Sequence, residues 1–142
     1  MIGKTELAAL IPHAGSMCLL DAIEEWTAEW IRCTSTTHRS TANPLRRDGA
    51  LSALHLVEYA AQAMAVHGAL LANSGSQPGM LGVLRNVRLY IDRIDDLPEP
   101  LIITASRRLA RNDGLIYDFA VELRGSSKRL LSEGRISVVL QT

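Results

Sequence analysis

The sequence predicts an α+β domain in which an antiparallel sheet wraps a long central helix. Three observations carry this. From Ala50 to Asn73 the only formally charged residue is Glu58, and the run is dominated by Ala and Leu, both strong helix formers. A helix apolar on nearly every side has to be covered almost all round. After it come stretches of alternating apolar and polar residues separated by short turn signals, the pattern of half-buried strands joined antiparallel. One long helix against one such sheet is a layered α+β arrangement.

Taken in order, Lys4 to Leu10 reads as a short helix, stopped by Pro12. Ile11 to Met17 is a tight loop containing His13, and the apolar run Cys18-Leu19-Leu20 follows. Ala22 to Trp26 and Glu29 to Thr37, rich in Trp, Ile and Thr, read as extended. Thr41 to Asp48 is a loop with Asn43-Pro44 and the pair Arg46-Arg47. Asp48-Gly49 opens the central helix, Ser52 stands in its first turn, and Ser74-Gly75 closes it. Ser74 to Gly79 is a turn, and Met80 to Ile91 is a strand in which Val87, Leu89 and Ile91 alternate with Asn86, Arg88 and Tyr90. Asp95 to Pro100 is a loop, and Leu101 to Leu109 is extended. Asn112-Asp113-Gly114 is a hairpin turn, leading into the alternating strand Leu115, Tyr117, Phe119, Val121, Leu123. Gly125 to Lys128 turns again, and Leu130 to Leu140 is the last strand.

The 142 residues form one domain, spanning 1–142, with length enough for a real core. An apolar fraction of 47% and a balance of 15 basic against 15 acidic residues describe a soluble globular protein with no basic footprint for nucleic acid. Two cysteines, Cys18 and Cys33, without a CxxC or paired histidines, point away from a disulfide framework or a zinc site, and no metal is expected. So few cysteines fit a reducing cytoplasm. The N-terminal apolar run is short and interrupted by Glu6, unlike a signal peptide. The central run carries Glu58, Gln62, His55 and His67, all costly in lipid, so membrane insertion is not expected.

The chemistry of the chain centres on that helix. His55, Glu58 and Gln62 stand at i, i+3 and i+7 and share a face, with Leu51, Leu54, Val57 and Met64 around them. A carboxylate on a helix expected to be buried has two readings. It is a structural hydrogen-bonding group, or it is a general acid in an apolar pocket. Burial alone does not separate them. His67 is expected near the exposed end of the helix. Arg107, Arg108 and Arg111 read as a solvated strand edge, or, with Arg85, as an attraction for an acidic partner or a cofactor phosphate.

The order of a short helix, a Pro-His loop, a central helix bearing Glu-x-x-x-Gln and a meandering sheet resembles the hot-dog fold. Ile11-Pro12-His13-x-x-x-Met17-x-Leu19-Leu20-Asp21 resembles the opening motif of 3-hydroxyacyl-acyl carrier protein dehydratases, and Glu58-Tyr59-Ala60-Ala61-Gln62-Ala63 resembles their central-helix signature. The later segments Leu81-Gly82-Val83-Leu84-Arg85 and Gly134-Arg135-Ile136 are similar to those of the small dehydratases of aryl polyene biosynthesis clusters. The likeness covers nearly the whole chain. The His-Phe-Pro-Gly motif that carries the catalytic histidine in better-known members of this superfamily is absent; the region reads Thr37-His38-Arg39-Ser40-Thr41-Ala42-Asn43-Pro44. His13 matches its motif position and His38 is the alternative.

The resemblance implies elimination of water from a 3-hydroxyacyl thioester to give a 2-enoyl thioester, in fatty acid or aryl polyene-type biosynthesis. A base near neutral pKa removes the C2 proton, and a desolvated carboxyl protonates the leaving hydroxyl. His13 is expected as the base and Glu58 as the acid, with Gln62 orienting Glu58 or a water. His55, Met17 and Gly82 are expected on the substrate side, with Gly82 or the backbone near Leu51 offering N–H groups to the thioester oxygen. No cofactor is required beyond the phosphopantetheine arm of an acyl carrier protein or CoA that brings the substrate. Exposed sheet edges and the resemblance together imply a homodimer, or a heterodimer with a related dehydratase. The alternatives are an acyl-thioester hydrolase and a non-catalytic, acyl-carrier-binding subunit of a dehydratase heterodimer.

Overall fold

The structure is a computed structural model that describes residues 1–11, 17–72, 79–125 and 129–140. Its elements are α1 (Lys4–Ala8), β1 (Ala22–Trp26), β2 (Trp30–Ser35), α2 (Leu56–Ala72), β3 (Gly79–Leu89), β4 (Leu101–Arg111), β5 (Gly114–Leu123) and β6 (Leu130–Leu140). The six strands form one sheet in the order β1-β2-β4-β5-β6-β3, every neighbouring pair antiparallel. The hairpin expected at Asn112-Asp113-Gly114 joins β4 to β5, with Arg111 paired to Gly114. The turn expected at Ser74-Gly75 and most of that at Gly125 to Lys128 lie outside the described residues.

The core follows from the alternation of the strands. Ile31 and Cys33 of β2, Leu101, Ile103 and Ala105 of β4, and Tyr117, Phe119 and Val121 of β5 are buried on one side of the sheet. They meet Leu56, Tyr59, Ala60, Ala63, Met64 and Val66 of α2. Each large side chain so buried contributes about 1.5–3 kcal/mol.

Two expectations about the central helix are corrected. The α-helix begins at Leu56, not near Ala50. Leu51 and Ser52 are held extended instead: Leu51 N–H donates to Asp95 Oδ1 at 2.8 Å, Ile94 N–H to Leu51 O at 2.9 Å, and Ala53 N–H to Asp92 O at 2.9 Å. A 3-10 turn, Ala53–His55, then leads into α2, with Ser52 Oγ accepting from Leu54 N–H at 3.2 Å. The segment 92–95 thus captures backbone that composition alone assigns to the helix. The second correction concerns burial. One sheet covers one side of α2, and Leu54 (58% exposed), Glu58 and Ala72 face outward, with Val57, Ala61, Ala65 and Gly68 half-buried between them. That spacing marks a single continuous stripe along the helix.

Glycine is required at one strand position. A Cβ on Gly134 would stand 2.9 Å from Val87 Cγ2 and 3.0 Å from a ring carbon of Phe119. Val87 is pushed inward there by a bulge between Arg85 and Arg88, where Asn86 takes a left-handed φ of 54°.

Candidate active site

The first turn of α2 carries Glu58, and its carboxylate lies on the open side of the helix. His55 precedes it in the 3-10 turn and is half-buried. The carboxylate is therefore not enclosed by the described residues, against the expectation from the apolar run, because the sheet reaches only the opposite side of α2.

Gln62, one turn further, is 2% exposed, and its amide is fully engaged. Oε1 accepts from Leu19 N–H at 2.9 Å and Nε2 donates to Met17 O at 2.7 Å. Gln62 thus holds the backbone that directly follows the His13 loop, rather than pointing at Glu58. Met17 is brought to the helix through this contact, with its side chain exposed. His13 lies outside the described residues, as do Pro12 and Ser16.

The same segment is gripped by other groups. Leu19 O accepts from Ser35 Oγ at 2.5 Å and Thr37 Oγ1 at 2.7 Å. Thr37 Oγ1 in turn lies 2.9 Å from Tyr59 OH, which accepts from Asn43 Nδ2 at 3.1 Å. Burial pushes the Tyr59 phenol above its ordinary value, so it stays a neutral donor. Lys4 Nζ donates to Cys18 O and Leu20 O, both at 2.7 Å. From Met17 to Leu20, then, the backbone is fixed by Gln62 of the central helix and by Ser35, Thr37 and Lys4, while Tyr59 and Asn43 hold Thr37 in place. Sequence reading missed Ser35, Thr37, Asn43 and Lys4 in this role. Tyr59 sits inside the Glu58–Ala63 motif, the one signal that marked any of them.

The remaining candidates are dispersed. His38 is fully buried, with Nε2 donating to Leu97 O at 3.0 Å, and Nδ1 has no partner among the described residues. Its pKa is lowered, chiefly by burial. His38 thus anchors the loop after β4's neighbour β2 and is closed to a substrate in this chain. Gly82 lies on the edge strand β3, paired with Val138, and a Cβ there would meet Ser137 O at an ordinary 3.8 Å. Within one chain β3 is not the strand that α2 packs against, and Gly82 is not brought to Glu58. Leu51 N–H is already taken by Asp95.

His67, expected near an exposed helix end, is fully buried. The aromatic rings of His67 and Tyr117 meet edge to face, Nδ1 lies 2.5 Å from Tyr117 OH, and Nε2 lies 2.7 Å from Thr27 O. A carbonyl only accepts, so Nε2 carries the proton and Nδ1 accepts from the phenol. Burial lowers the His67 pKa and pushes the Tyr117 phenol up to about 12. Arg107, read from sequence as part of a solvated edge, is half-buried, while Arg108 and Arg111 are exposed. Cys18 and Cys33 are both free and buried, and burial pushes the Cys33 thiol up to about 12, far from a reactive thiolate. Among the described residues, no group of three His, Cys, Asp or Glu is placed to hold a metal ion. No helix of the described residues is long and apolar enough to cross a membrane.

Comparison with known proteins adds the following. A family model described as ApeP-like, ApeP dehydratase, matches residues 5–142. No curated protein matches the sequence. Among solved structures, the dehydratase heterocomplex ApeI:P from Xenorhabdus doucetiae is similar at 21% identity and a TM-score of 0.77, over 96% of this chain and 91% of that one. Zebra fish thioesterase superfamily member 2 aligns at 15% identity and a TM-score of 0.67, over 97% and 95% of the two chains. AziG of S. sahachiroi aligns at 13% identity and a TM-score of 0.65, over 92% and 97%. These likenesses place the fold as a hot-dog fold, which dehydratases and thioesterases share.

Proposed function

We propose a function from one premise: the chain belongs to the ApeP-like dehydratase family. Its reaction is removal of water from a 3-hydroxyacyl thioester to give the 2-enoyl thioester, with the acyl group carried on the phosphopantetheine arm of an acyl carrier protein or CoA. The site is completed by a second subunit, a related dehydratase. A structurally similar protein forms part of a dehydratase heterocomplex, which supports that choice of partner.

The observation that carries this reading is the open stripe of α2, with Glu58 at its head among Leu54, Val57 and Ala61. A carboxyl that donates a proton works best in a dry, apolar setting. This chain supplies the apolar neighbours and leaves the cover to another subunit. In the reaction His13 takes the proton from C2, the electron pair forms the C2–C3 double bond, and the C3 hydroxyl leaves with a proton from Glu58 as water. Backbone N–H groups of the completed site hold the thioester oxygen. Gln62 fixes the backbone from Met17 to Leu19 to the same helix that carries Glu58.

The test is mass spectrometry of a 3-hydroxyacyl-carrier substrate incubated with the protein, alone and with a related dehydratase subunit. Loss of one water is expected from the wild type, and Glu58→Gln is expected to lower the rate roughly 10²-fold or more. Equal rates for wild type, Glu58→Gln and His13→Ala would refute the assignment. Release of a free thiol instead of a conjugated double bond would identify a thioester hydrolase.

A further inference from the structure

β3 is the last strand of the sheet: one edge pairs with β6 and the other pairs with nothing among the described residues. Its side chains are unusually apolar for an open edge. Val83 and Leu84 are each 49% exposed, and Leu89 and the following Tyr90 are exposed as well. A long apolar open edge is a ready template for pairing with another chain.

The charges on this edge narrow the identity of the cover. In β5, Asp118 alternates with Tyr117 and Phe119, which are buried toward α2, so Asp118 faces the other side of the sheet. The pairing Asp118 to Arg135 to Arg85 carries that outer face across β6 to β3. Arg88 pairs with Glu133, which stands on the same face two residues from Arg135. On this patch Asp118 is already occupied, by Arg135 Nε at 2.7 Å and Arg108 Nε at 2.8 Å. Glu133 accepts a hydrogen bond from Tyr90. Arg85 stands across from Arg135, like charge against like. Among the described residues of this patch, Arg85, Arg88, Arg108 and Arg135 thus face two carboxylates, Asp118 and Glu133, and the surplus sits on the outermost strand.

We propose that Arg85 and Arg88 direct β3 away from a second copy of this chain and toward a related subunit whose own edge strand carries carboxylates. The proposal rests on the reading above that the second subunit is a related dehydratase. Two copies of one strand pair antiparallel only about a twofold axis. Where that axis crosses β3 near the bulge at Asn86, Arg85 of one copy stands within one position of Arg88 of the other, and symmetry repeats the contact. Like charges opposed across a ladder destabilise it and opposite charges stabilise it. Selection by a built-in repulsion is a general route to a specific pair.

The test needs only this chain and measures association, not turnover, so its outcome is independent of the dehydratase assay. Arg85→Glu/Arg88→Glu serves as a copy with an acidic edge. Both positions are exposed, and circular dichroism checks that the variant folds. Sedimentation equilibrium compares wild type, variant and their equimolar mixture. The mixture is expected to associate about tenfold more tightly than either protein alone, with the advantage shrinking as salt rises from about 0.05 to about 0.5 M. Arg85→Gln/Arg88→Gln, which removes the repulsion without adding attraction, is expected to self-associate more tightly than wild type. Wild type self-associating as tightly as the mixture would overturn the proposal. So would an advantage that salt does not reduce, or no association in any sample.

Discussion

Gln62 offers the sharpest test of how the candidate site is held. Its amide is buried and makes two backbone hydrogen bonds, accepting from Leu19 N–H and donating to Met17 O. Gln62→Leu keeps the volume and removes both. Leu19 N–H is left buried without a partner, which costs about 1–3 kcal/mol, and the partly buried Met17 carbonyl adds to that. The apolar side chain returns about 1 kcal/mol by its own burial. The net loss is about 2 kcal/mol, and with a urea slope of about 2 kcal/mol per molar the midpoint falls by about 1 M. Gln62→Glu separates this from simple repacking. A protonated carboxyl can accept from Leu19 and donate to Met17 as the amide does; a carboxylate only accepts, and is buried besides. The folded-state pKa of the new group is therefore raised above the unfolded value. Its stabilisation is fully present below the ordinary Glu pKa of about 4.3 and is lost as pH rises through the raised value. Urea titrations of the three proteins at several pH values from 4 to 8 check this. A Gln62→Leu midpoint within about 0.3 M of wild type, or a Gln62→Glu deficit that does not grow with pH, would refute the reasoning.

Three further outcomes are expected. Gly134→Ala drives a methyl against Val87 and Phe119 and should cost about 1–3 kcal/mol in thermal or urea unfolding, with partial recovery in Gly134→Ala/Val87→Ala. His38 and His67 are buried with lowered pKa values, so in the window just below about 6.5 the unfolded chain binds more protons than the folded one. Stability should therefore fall as pH drops through that window. His67→Phe should be less stable at pH 7, because Tyr117 OH and Thr27 O lose their partner, yet less sensitive to acid; equal pH slopes would contradict this. Asp118, held below the usual carboxylate range by Arg135 and then Arg108, should keep its stabilisation above its ordinary pKa of about 3.9 and lose it at more acid pH, an effect that Arg135→Gln should diminish in the same titrations.

Much of the fold was legible in the sequence because local signals and tertiary packing agree. The alternation from Leu115 to Leu123 appears as β5, and Asn112-Asp113-Gly114 makes the tight link expected of it. Where the two diverge, a distant group intervenes. Nothing in Leu51-Ser52 itself announces an extended backbone; Asp95 and the 92–95 segment impose it from more than forty residues away. The Met17–Leu20 clamp is equally nonlocal. Gln62 was visible as part of a motif but not as an amide holding a loop, and Ser35, Thr37 and Asn43 carry no pattern that separates them from ordinary strand and loop residues. His67 was misplaced because its position near the end of an apolar run says nothing of the Thr27 carbonyl and Tyr117 hydroxyl that enclose it.

The error over Glu58 has a different origin, and it bears on how the protein works. Hydrophobic composition reports whether a surface ends up away from water, not which chain removes it. On α2 the residues that meet the sheet and those on the open stripe are nearly alike in composition: Ala60, Ala63 and Val66 inside, Val57, Ala61, Ala65 and Gly68 outside. A solvent-facing helix side is normally polar. Here the one charged group on it is Glu58, and the small residues behind it leave room for another backbone to approach closely. The open edge of β3 repeats the pattern with Val83, Leu84 and Leu89. The helix stripe and the apolar residues of the strand edge are two parts of one chain left outside its own core. A single partner lying along the molecule would bury them together, and in doing so would close the space around Glu58. On this argument an apolar setting for the carboxylate is to be sought in the assembly rather than in the single chain. Association and acid chemistry are then linked, and Leu54→Asp on the open stripe should weaken pairing and dehydration together while leaving the urea midpoint of the single chain within about 0.5 M of wild type. Loss of activity with pairing intact would break that link.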